Sequence, residues 1–461
     1  MPLTQSSLQK LWLKLLLFTL FGYALLGKGF AYLFLGELIL VLGVAIFLQS
    51  QRVMLIFSDP VLFLWAIFSF WGLCRTVPFL ARYRFDAVRD AVLWGYGVFA
   101  VLIVAFVNAS SQISRALNTY RKFLHWYLPV LPILVLMTFM FRSSMPTLPW
   151  AKDVSVIMLK DSDAAVHLAG AALFLLLFPI RSSGSNKQDI SVHRLIGFAG
   201  WSVTALLVAM KTRGGFIAMM IPIILASILK LHKIGWKVAA FAIGGTLFAL
   251  MVLETNVITI KNHGRTFTPE QVLENVSSIA GGAEAGDLQN TKEWRLIWWR
   301  HIMQYTIFGP YFWTGKGFGV NLAVEDGPPG ISPQESALRS PHNGNMTVLA
   351  RMGVPGITIW ILLNLTFAFR LIKSYQTATQ SGSQFWSSVN LWILCYWLAA
   401  FVNMSFDVYL EGPQGGIWFW SIMGFGVAAV RVQAYEARQL LAQSRIRSAE
   451  NLDLEYAPVR A

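Results

Sequence analysis

Long apolar runs divide this chain, and the polar positions between them are brief everywhere but one place. The runs lie near 12–27, 30–48, 61–79, 91–108, 123–141, 164–180, 195–210, 214–230, 234–253, 354–372, 386–404 and 414–431. Each approaches the about 20 residues that a helix needs to cross the hydrocarbon core of a bilayer. The runs lack strand alternation, and an open sheet cannot satisfy its backbone in lipid, so each run is expected to be a helix. The pattern predicts an all-α integral membrane protein of about twelve transmembrane helices. The exception is a polar stretch, residues 254–345, between the ninth and tenth spans. The expected organisation is spans one to nine over 1–253, the long loop over 254–345, spans ten to twelve over 346–431, and a polar tail over 432–461.

Composition agrees with this class. The chain is 56% hydrophobic and 13% charged, with a mean hydropathy of +0.55, where a soluble domain has about 45–50% apolar and about 25% charged residues. Leu11 to Leu26 is apolar with no small-residue cleavage site after it, so it is expected to be the first span rather than a removed signal. Cys74 and Cys395 both sit in apolar runs, which gives no disulfide framework and no zinc spacing. The net charge of +14 fits cytoplasmic loops facing anionic lipid rather than a nucleic-acid partner.

Twelve crossings put both termini on one side. With the N-terminus in the cytoplasm, the inner segments hold more Lys and Arg than the short outer loops, although Arg75, Arg82, Arg84 and Arg89 run against the bias. This places the termini inside and the long loop outside. Within the loop, Gly281 to Gly286 is the loosest part. Residues 292–303 differ: Trp294, Ile297, Trp298 and Trp299 recur at helical spacing among basic residues, which predicts a short amphipathic helix at the outer membrane boundary.

Water-facing chemistry has few places to sit. Thr212, Arg213, Gly214 and Gly215 lie where one span ends and the next begins. A helix start carries unpaired amides that attract an anion, glycines allow close approach, and a guanidinium matches phosphate oxygens with paired donors. An arginine reaching lipid headgroups explains the same residues. Arg295, one turn before Trp299, faces that choice too, and Arg300 and His301 stand beside it. Gly315, Lys316, Gly317, Phe318 and Gly319 look like a phosphate loop, but no strand precedes them and the full spacing is missing. They are expected to form a turn that folds the loop back. His342, with Ser340, Pro341 and Asn343, lies just before the tenth span, where an imidazole can accept a proton from a hydroxyl. Lys14 and Glu37 lie within spans, as a functional pair or as an ion pair between helices, and His167 is equally open.

In this order around one outer loop, Arg295 with Trp299, the glycine turn at 315–319, His342 with Asn343, and the run Ala350 to Gly356 resemble bacterial O-antigen ligases and O-antigen or exopolysaccharide polymerases. Arg213 and its glycines resemble that family's upstream element. The specific likeness covers roughly 210–360. It implies a membrane glycosyltransferase whose donor is a glycan on undecaprenyl pyrophosphate and whose acceptor is a sugar hydroxyl on a lipid-linked glycan or lipid A-core. Carried over, His342, Arg295 and Arg213 would be catalytic: the arginines hold the pyrophosphate and His342 is the base. Gly214, Gly215, Trp299, Asn343 and Arg300 would line the substrate. Neither a metal nor another cofactor is implied, and the place of action would be the outer face of the bacterial inner membrane. Arg351 departs from the family, which often carries an acidic or neutral residue there. The competing class is a glycan transporter or flippase; against it, paired broken spans in two matching halves are missing.

The topology has a direct check. In a background lacking Cys74 and Cys395, single cysteines at Ala283 and Ser336 should react with an impermeant maleimide from outside. One at Ser444 should react only after the membrane is opened; reversed labelling would put the loop in the cytoplasm.

Overall fold

The computed structural model describes residues 5–50, 52, 54–141, 144–178, 192–230, 260–262, 265–267, 287–327 and 338–455. The ninth expected span, the glycine-rich stretch at 281–286 and the end of the tail lie outside the described residues. The other expected spans fall on helices. They are α1 (Gln5–Leu26), α2 (Leu35–Gln49), α3 (Pro60–Tyr83), α4 (Phe85–Gly95) with α5 (Val98–Phe106), α6 (Ser110–Met140), α7 (Asp161–Leu177), α8 (Val192–Lys211) and α9 (Arg213–Leu229). In the long loop come α10 (Asp287–Thr306) and α11 (Leu322–Asp326), followed by α12 (Gly344–Gln380), α13 (Gln384–Met404) and α14 (Pro413–Glu455).

Among the described residues, six helices are long and apolar enough to cross a membrane, or up to seven if α4 and α5, bent by 43° at their junction, form one span. The chain is thus a multi-pass membrane protein. The expected twelve is not reached by that measure, because α2, the apolar part of α8, and α9 are shorter apolar helices. Phe18, Leu38, Val41, Phe70 and Leu365 are exposed along the spans, as side chains facing lipid should be.

The loops assigned to the outer side meet at one end of the bundle. Met158 donates its N–H to Leu26 and accepts from Lys28, and Arg339 pairs with Asp86 and Asp90. The opposite end has its own polar locks. Asp59 caps α3 and takes Arg370 at 2.5 Å, and Ser374, Asn390 and Gln433 bond α12, α13 and α14 together.

The helix α12 is interrupted at Gly353, whose φ of 66° and ψ of −168° leave the helical region. Pro355 follows and has no N–H to give, so the carbonyls before the break lose their usual partners. Lys316 N–H donates to Ala350 O at 2.7 Å, Gly317 N–H to Arg351 O at 3.0 Å, and the Trp71 indole to Met352 O at 2.9 Å. The glycine turn is therefore a backbone plug for a broken helix. Gly315, Gly317 and Gly319 all have positive φ, and a Cβ on Gly317 would sit 2.1 Å from the Phe79 ring. Lys316 is buried in an ion pair with Asp326 at 2.6 Å, so it is not free to cradle a phosphate.

Arg351 fastens this turn. Its Nη1 donates to Gly317 O and Val320 O, and its Nη2 lies 3.0 Å from Asp90. Asp90 also takes Arg339 and the Gly319 N–H. Of the basic cluster that opposed the charge bias, Arg75 donates to Thr314 O in the long loop, while Arg89 pairs with Asp86 within α4. Glu37 accepts from Tyr96 at 2.5 Å while Lys14 is exposed, and His167 bonds Tyr396 inside the core.

Arg351 is 2% exposed. Stripping one partner from a buried ion pair costs about 3–5 kcal/mol. Asp90→Ala should therefore lower thermal stability by an amount of that order, and Asp90→Asn by less. A melting curve matching wild type would remove Asp90 from this role.

Candidate active site

Two short segments approach each other at the end of the bundle that carries the long loop. One is the turn 340–343, which leads into α12; the other is the link 405–408 after α13. Asn343 ends the turn by capping α12, its side-chain oxygen accepting from the N–H groups of Asn345 and Met346. His342, just before, holds a left-handed φ of 51°, uncommon for a residue with a side chain. It is held by α10. The Trp299 indole donates to Pro341 O at 2.8 Å, and Trp294 meets the imidazole edge-on at 6.1 Å between centroids.

The opposite wall is Asp407, 7% exposed. Its Oδ1 pairs with Lys160, accepts the Val408 N–H at 2.7 Å, and lies 3.5 Å from His342 Nδ1. Its Oδ2 accepts from Ser162 Oγ at 2.6 Å. Burial opposes the charge, but the His342 contact, the Lys160 charge and the Ser162 hydroxyl together hold Asp407 below the usual carboxylate range.

Arg295 reaches this place, and Arg213 lies near enough for its charge to act on Arg295. Thr212 caps α9, accepting from Gly215 N–H at 3.1 Å, which sets Arg213 in the first turn. Arg295 projects from α10 and its Nη1 donates to Phe406 O at 3.3 Å. Its Nε is buried without a hydrogen-bond partner. Burial pushes the Arg295 guanidinium below its ordinary range; Asp407 pulls it up and Arg213 pushes it down again. Arg295 thus feels the charges of Asp407, the partner of His342, and of Arg213.

Of the expected site residues, Arg295 and His342 both meet the 405–408 link, Arg213 acts on Arg295 through its charge, and the companion residues have other contacts. A Cβ on Gly214 would lie 2.9 Å from Phe406, and one on Gly215 would meet Thr212 and Ser162. Those glycines allow close helix packing rather than close approach of a phosphate. Trp299 is tied to Pro341 and Asn343 is a helix cap. Arg300 is exposed, five residues from Arg295 and so about 140° around the helix. The amphipathic helix is longer than expected, and Trp298 and Ile302 are buried in a small core with Leu322, Ala323, Leu349 and Ala350. Trp298 anchors the helix to protein instead of resting at the lipid boundary.

Sequence reasoning missed Asp407, Lys160 and Ser162. Lys160 and Ser162 lie in the polar run Lys160 to Asp163 before one span, and Asp407 follows another; the one available signal was a carboxylate soon after a span.

Residues 198–361 match the family model described as O-antigen ligase, which supports a likeness of this segment to the O-antigen ligase/polymerase family. No curated protein matches the chain.

The depressed Asp407 carboxyl predicts a pH effect. An unfolded Asp titrates near about 3.9, so the stabilisation is complete above that value and is lost as pH falls through the lower folded value. Thermal stability should fall more steeply below about pH 4 in wild type than in Asp407→Asn. Parallel curves would show that the carboxylate is not held as described.

Proposed function

We propose that the chain transfers a glycan from undecaprenyl pyrophosphate to a sugar hydroxyl of a lipid-linked acceptor, at the outer face of the bacterial cytoplasmic membrane with both termini inside. The observation that carries this reading is the pair of guanidinium groups, Arg213 and Arg295, gathered beside one carboxylate and one imidazole. Two like charges held in a partly buried place are stabilised when an anion lies between them. A pyrophosphate leaving group supplies that anion, and its charge grows as the glycosidic bond breaks.

In this reading Asp407 faces Nδ1 of His342, which leaves Nε2 to take the proton from the acceptor hydroxyl. The acceptor oxygen attacks the anomeric carbon. The bond from that carbon to the pyrophosphate oxygen breaks, and its electron pair stays on the pyrophosphate between the two arginines. A single displacement inverts the anomeric centre. The activated donor supplies the driving force, so no ATP is used, and the arginines take the place a metal would have at the pyrophosphate. The product is either a ligated lipid A-core or a longer O-antigen or exopolysaccharide chain.

Variants at the three residues separate binding from chemistry. Arg213→Ala and Arg295→Ala should abolish transfer, and Arg→Lys should restore little, because an ammonium cannot make two parallel bonds to one phosphate. His342→Ala should lose about 10²–10⁴ in turnover yet still bind the donor. Near-normal turnover in His342→Ala would leave the base elsewhere; lost donor binding would make His342 a pyrophosphate ligand.

A further inference from the structure

We infer that Lys160 is a positioning residue for the base. It holds the Asp407 carboxylate in the one orientation that presents Oδ1 to His342, and the inference rests on the reading of His342 given above. Both carboxylate oxygens are fixed from the same side. Lys160 Nζ and the Val408 N–H share Oδ1, and Ser162 Oγ takes Oδ2. Lys160 and Ser162 are two residues apart at the start of α7, so one short segment grips the carboxylate plane at two points. With the Lys160 grip released, Oδ1 keeps only the neighbouring Val408 N–H, and the 3.5 Å approach to His342 Nδ1 loses one of its two supports.

The segment is itself fastened. A hairpin of Thr147–Leu148 with Ala151–Ser155 leads toward it. Met158 then bonds Leu26 and Lys28 across the first outer loop. Asp161, the next residue after Lys160, pairs with Lys211 at 2.6 Å. This ion pair ties the residue after Lys160 to the one two before Arg213.

Stability alone does not account for the lysine. Its side chain is 43% exposed while that of Asp407 is 10% exposed, and an ion pair with one end in water adds little to folding. Asp407 keeps Ser162 and the Val408 N–H without it. What the lysine adds is a second fixed direction on Oδ1, and a positive charge that offsets the carboxylate facing the imidazole.

The test uses the full chain in lipid nanodiscs, with a glycan on undecaprenyl pyrophosphate as donor and a lipid-linked glycan as acceptor. Lys160→Met should lower kcat by roughly tenfold or more, a fraction of what a base contributes, and leave donor affinity unchanged. Lys160→Arg should recover most of the rate. Ser162→Ala should show a smaller defect of the same kind, and the double variant should be less impaired than the product of the singles, since both act through one carboxylate. A weaker donor Kd in Lys160→Met with kcat intact would make the lysine an anion ligand and overturn the inference. So would independent, multiplicative defects or a wild-type rate. His342→Ala run beside these keeps the two readings apart. If it turns over normally, the base reading has failed; if it is inactive while Lys160→Met is normal, only the role of Lys160 has failed.

Discussion

The break in α12 is the constraint on which the loop-bearing end of the bundle depends. A membrane offers no water to a freed carbonyl, so a helix can stop within the bundle only where other groups supply donors. Here the interruption at Gly353 is answered by the backbone of the glycine turn and by Trp71. That exchange fastens a polar loop to an apolar bundle at a fixed place. Arg351 and Asp90 then clamp the turn from the side, and α10 packs its Trp298 face against the start of α12. The imidazole and one guanidinium are carried by elements whose positions follow from this repair. The other guanidinium is set by the cap of α9.

Much of this was legible in the sequence because apolar length and turn chemistry are local signals. The span expected from residue 354 begins where α12 resumes after its break, and the expected edges at 210–214 surround the Thr212 cap. His342, Arg213 and Arg295 were visible as candidates, although an arginine reaching lipid headgroups explained the two cations as well. What escaped was pairing at long range. Lys160 and Asp407 are 247 positions apart, and neither carries a motif; only the fold makes them one group. Arg351 looked like a departure at a substrate contact because its partner Asp90 sits on another helix. The tryptophans of α10 were read as boundary residues because helical spacing tells which side chains share a face, not whether that face meets lipid or protein.

The same distinction applies to the glycines. Gly214 and Gly215 suggested room for a phosphate, yet the space is filled by Phe406 and Ser162. Small residues mark close approach without naming what approaches. The proposed anion site is better marked by charge: the Arg213 charge acts on Arg295, whose Nε is buried without a partner. This is also why the acceptor is harder to read than the donor. A pyrophosphate announces itself through cations, whereas a sugar hydroxyl needs only a base and a surface.

The central claim is a single displacement at the anomeric carbon, with the pyrophosphate leaving between Arg213 and Arg295 while His342 takes the acceptor proton. The most direct measurement is the anomeric configuration of the new linkage, read by nuclear magnetic resonance on product made by the purified chain from a donor of defined configuration. The account predicts inversion in every turnover, with lipid pyrophosphate released in equal amount. A retained configuration would require a covalent or otherwise two-step route and would contradict it.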